Sequence, residues 1–153
     1  CRINGMEDRS PIRVILDTKL KTPPTSKLVQ TANTIKTIIV TEKEDTNSIY
    51  TEHGVSIHVV PSTRDMQAVA SSLALDNINS VLIEGDAQVA ASFVNADIID
   101  ICSVFKAPAS IGADGIDAIT GINLEQLLSE PRFILENTRK FEPDILATYR
   151  KAG

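Results

Sequence analysis

Tryptophan is absent from this chain of 153 residues, and tyrosine occurs only twice. The net charge is −5, and the fifteen Lys and Arg residues are spread thinly. A nucleic-acid face needs a basic stripe, preferably interleaved with stacking rings, so that class is excluded. Cysteine is equally scarce: Cys1 and Cys102 stand far apart and form no CxxC pair. They indicate neither a disulfide framework nor a zinc site, and a reducing cytoplasm fits best. No apolar run approaches the ~20 residues of a membrane span, and no charged, apolar and cleavable segments open the chain. No GxGxxG, P-loop, HExxH or GxSxG motif occurs. The only histidines, His53 and His58, have no Cys, Asp or Glu beside them at ligand spacing, so no metal is expected.

What remains is an ordinary globular composition, 42% hydrophobic and 23% charged, long enough for one domain with a core. "IRVILD" (Ile12 to Asp17) and "TIKTIIVT" (Thr34 to Thr41) are nearly continuous apolar runs, the pattern of strands buried on both faces. "KLKTPPTSKL" between them reads as a loop, because two prolines interrupt it. "EKEDTNSIYTEHG" reads as a loop or short helix ending at Gly54, and "VSIHVVP" (Val55 to Pro61) as a third strand. Asp65 then caps a helix whose Met66, Val69, Ala70 and Leu73 recur at helical spacing, a core-facing stripe. "SVLIEG" is read as another buried strand, "AQVAASFVNA" as a helix and "IIDICSVFKAP" as a long strand. "GADG" (Gly112 to Gly115) is a weak glycine signal, read as a plain turn before the short helix "NLEQLLSE". "RFILENTRKF" and "DILATYRK" form a hairpin around Glu142-Pro143. Together these give an α/β domain with a mostly parallel sheet, flanking helices and an antiparallel C-terminal hairpin.

Chemistry concentrates at Glu84-Gly85-Asp86, between an apolar strand and a small-residue helix. Open α/β sheets place ligands, often phosphates, at such a junction. A carboxylate ending an apolar strand needs a partner, which favours a functional Glu84. Asp86 suits an N-cap, a role that stabilises a helix by about 0.5–2 kcal/mol over alanine.

In this order and at these intervals, "PIRVILDTKLKTPPTSKL", "INSVLIEGDAQVAASFVNADIID", "FKAPASIGADG" and "DILATYRK" resemble the reductase domain of the bifunctional riboflavin-biosynthesis deaminase–reductase. The likeness extends over nearly the whole chain. It implies a dihydrofolate-reductase-like fold, NADPH as hydride donor, and 5-amino-6-(5-phosphoribosylamino)uracil as substrate, in a cytoplasmic homo-oligomer. In such enzymes the ribose opens to an imine-like form, and a hydride delivered to C1′ gives the ribitylamino product. The resemblance assigns Glu84 and Arg2 to the substrate, the latter gripping its phosphate. It assigns Gly85, Asp86, Ala87, Gln88, Val89 and Ala90 to the turn that holds the cofactor phosphates.

Two departures from the family pattern bear on activity. Asp86 stands where the family has a second glycine, adding bulk and negative charge where a pyrophosphate approaches. Two like charges about 4 Å apart cost on the order of 4 kcal/mol at an effective dielectric of 20, a cost that rotation of Asp86 into a cap would reduce. The family's domain also begins upstream of this chain, with a first strand and an A-D-D-P turn, and is preceded by a zinc deaminase domain absent here. Residues 1–153 are therefore expected to be a single reductase domain lacking its N-terminal portion. A diverged, non-catalytic dimerising or regulatory module is the alternative, and a related pyrimidine or pterin reductase a third possibility.

Overall fold

A computed structural model describes residues 9–109, 112 and 115–153. The chain divides into two compact units, Cys1–Ser80 and Val81–Gly153.

The first unit is built on a three-stranded parallel sheet of β1 (Arg13–Leu16), β2 (Thr37–Thr41) and β3 (Val55–Val59), in that order. Register places Ile15 beside Ile39 and Ile39 beside Ile57. β2 lies between its neighbours, and all five of its residues are buried, which is why its apolar pattern is continuous rather than alternating. Ile39 packs with Val29, Ala32, Tyr50 and Val55. Burial of such a side chain contributes about 1.5–3 kcal/mol. The buried Tyr50 hydroxyl donates to the carbonyls of Leu20 (3.1 Å) and Thr22 (2.7 Å), pinning the proline-containing segment. The two prolines predict loop for the whole segment, but its last two residues open a one-turn helix, α1 (Lys27–Gln30). Val29, fully buried, anchors that turn, a tertiary effect that local composition does not carry. A 3-10 turn at Thr51–His53 ends on Gly54, whose φ of +83° suits glycine and whose added Cβ would collide with the Asn33 side chain. Asp65 caps α2 (Met66–Ala74), accepting the N–H groups of Gln67 and Ala68, and Met66, Val69 and Leu73 are buried as the spacing requires.

The second unit carries α3 (Ala87–Asn95), β4 (Ile101–Lys106), α4 (Leu124–Ser129), β5 (Phe133–Phe141) and β6 (Asp144–Lys151). Its sheet is antiparallel in the order β4-β6-β5, with a register shift between Leu135 and Asn137. The hairpin is therefore as expected, and β4 joins it on the other side of β6. Ala91 and Val94 of α3, Ile119, Leu127 of α4 and Phe133 form the core, with Tyr149 against it. Asp97, at a positive φ, receives Arg132 (2.7 Å) and Lys151 (2.8 Å), tying the end of α3 to β6.

One expected strand is missing. "SVLIEG" has the composition of a buried strand, yet residues 80–86 have no assigned secondary structure and Leu82 is 78% exposed. A strand exists only when a neighbour supplies its hydrogen bonds, and among the described residues none pairs with this run. Apolar character sets the tendency; pairing decides the outcome.

Candidate functional site at the start of helix α3

The junction between Glu84 and α3 is fixed by two local devices. The first is Asp86, which has extended backbone and whose Oδ1 accepts the N–H groups of Gln88 (3.0 Å) and Val89 (2.9 Å). A helix N-terminus leaves its first N–H groups without intrahelical partners and carries partial positive charge, so the carboxylate is well placed there. The second is Gly85. A Cβ on it would lie 2.6 Å from Val89 Cβ and 2.7 Å from Val89 Cγ1, so no side chain fits between the turn and the helix. Gly85→Ala is expected to destabilise the chain by about 1–3 kcal/mol through overpacking, read as a lower urea midpoint at unchanged m-value.

The cap turns the Asp86 carboxylate onto the amides of Gln88 and Val89. Those amides thus hold an anionic oxygen at the end of the helix that carries partial positive charge. Glu84 and Gly85 are exposed beside them, so residues 84–90 form one continuous element. Arg2 lies outside the described residues.

A second polar group, within the first unit, lies at the carboxyl ends of the parallel strands, the edge where such sheets receive ligands. Asp17 follows β1 directly, and its Oδ2 accepts the N–H (2.6 Å) and hydroxyl (2.7 Å) of Thr22. Burial pushes its carboxyl up, but N–H groups of Lys21, Thr22 and Lys19 and the Thr22 hydroxyl outweigh it, leaving the group below its ordinary value. Glu42 follows β2 and accepts the Thr63 N–H (2.8 Å) and hydroxyl (3.1 Å). The Thr63 amide is the main reason that Glu42 is also lowered, with the hydroxyls of Thr63 and Ser62 and the charge of Arg64 adding to it. Thr18 and Thr63 share a hydrogen bond of 2.6 Å. Sequence reading passed over these residues; the available signal was that Asp17 and Glu42 each follow the last residue of an apolar strand.

The remaining candidates have structural surroundings. His53 Nδ1 is 2.8 Å from the Ile49 carbonyl, and His58 lies on β3, 3.7 Å from Asp76. Burial pushes the Cys102 thiol above its ordinary value, which lowers its reactivity. Among the described residues, no group of three or more His, Cys, Asp or Glu could hold a metal, and no helix is long and apolar enough to cross a membrane.

Comparison with known proteins gives a consistent result. Residues 2–147 match the family described as the RibD C-terminal domain. The chain is 30% identical over 144 residues to the riboflavin biosynthesis protein RibD of Bacillus amyloliquefaciens, covering 92% of this chain and 39% of that protein. It is 28% identical over 147 residues to RibD of Actinobacillus pleuropneumoniae, again covering 92% and 39%. The chain therefore spans well under half the length of the curated relatives it matches. Among solved structures, a diaminohydroxyphosphoribosylaminopyrimidine deaminase/5-amino-6-(5-phosphoribosylamino)uracil reductase from Thermotoga maritima superposes with a TM-score of 0.73. That superposition is at 24% identity and covers 93% of this chain and 38% of the other. A pyrimidine reductase-like protein from Corynebacterium diphtheriae gives 0.70 at 16% identity, covering 99% and 68%. These likenesses show that the chain has the fold of the RibD reductase domain.

Proposed function

The chain belongs to the RibD C-terminal domain family, and from that premise we propose that it is the reductase part of a riboflavin-pathway enzyme, using NADPH to reduce 5-amino-6-(5-phosphoribosylamino)uracil. The observation that carries this reading is the start of α3, where two backbone amides already hold a carboxylate oxygen. The same donors suit the cofactor's phosphates, with Gly85 keeping the turn tight against Val89. The parent protein has the deaminase domain upstream, works in the cytoplasm and assembles as a homo-oligomer, with no nucleic-acid or membrane partner.

When bound, NADPH supplies the hydride, and the protein supplies binding and orientation. The N–H groups of Gln88 and Val89, at the positive end of α3, would hold the phosphates in place of the Asp86 carboxylate. Glu84, one residue before the turn, is the substrate contact in this reading. The bound cofactor would supply a hydride to C1′ of the ring-opened substrate, and water would supply the proton to the adjacent nitrogen, so that C=N would become CH–NH. The test is incubation of the chain with NADPH and the phosphoribosylaminouracil. The expected result is one NADPH consumed per ribitylamino product formed; unchanged NADPH beside an active reductase control overturns the reading.

One observation favours a second reading. Asp86 fills the donors a cofactor phosphate requires, so a diverged module of the same fold would bind no dinucleotide and serve only in assembly or regulation. Saturable NADPH binding separates the two.

A further inference from the structure

We draw no further inference here: the strongest candidate, the side-chain cluster of Asp17, Glu42 and Thr63 at the carboxyl ends of β1 and β2, is an acidic group held by hydrogen bonds to its own Thr22 and Thr63 neighbours, and no second feature among the described residues points to a ligand there.

Discussion

Asp86→Gly is expected to tighten NADPH binding by about ten- to a hundredfold, measured by calorimetric titration. In the unmodified chain the carboxylate holds the Gln88 and Val89 amides at 3.0 and 2.9 Å. A phosphate must displace it, and then shares the turn with a like charge. The unscreened Coulomb cost at about 4 Å is larger than this at an effective dielectric of 20, but Asp86 is exposed and salt screens it, so the smaller figure applies. The helix itself loses little, since glycine costs only a few tenths of a kcal/mol relative to Asp as an N-cap. Asp86→Asn divides the effect: it keeps a capping oxygen and removes the charge. An affinity for Asn midway between Asp and Gly is expected. Equal affinities for all three side chains would mean that Asp86 faces no bound phosphate.

Arg13→Met carries the largest expected loss of stability, about 3–5 kcal/mol, read from the urea midpoint. The guanidinium donates to the Leu28 carbonyl (3.0 Å), the Ile35 carbonyl (2.9 Å), the Thr31 hydroxyl (2.9 Å) and the Thr37 hydroxyl (2.5 Å). It thereby joins α1 and the turn after it to the first residues of β1 and β2. Methionine conserves much of the volume but strands several part-buried acceptors, each costing about 1–3 kcal/mol, not additively. Arg13→Lys is expected to recover only part of the loss, because an ammonium cannot reach so many acceptors in a planar fork. Loss below 1 kcal/mol for Arg13→Met would show that water replaces the network.

Arg13 also illustrates what the sequence could convey. Inside "IRVILD" it looks like an interruption in a buried strand, and only the fold reveals the four acceptors that make it welcome. β2, by contrast, was legible because burial on both faces writes itself as an unbroken apolar run, and α2 because cap and stripe agreed. "SVLIEG" misled because composition records a tendency to pair without naming the partner. Within the site, Asp86 was readable as a cap from its residue type and its place before a helix. That the cap takes the amides of Gln88 and Val89 required the coordinates. Asp17 and Glu42 escaped notice because each looks like an ordinary polar residue after a strand; their shared edge appears only when β1 and β2 are laid side by side.

The central claim, that the start of α3 receives the phosphates of a nicotinamide dinucleotide, is tested most directly by amide NMR of the chain during NADPH titration. The expected result is a saturable shift of the Gln88 and Val89 resonances, as the Asp86 oxygen gives way to a phosphate. Unmoved resonances at Gln88 and Val89 up to millimolar NADPH would contradict the claim.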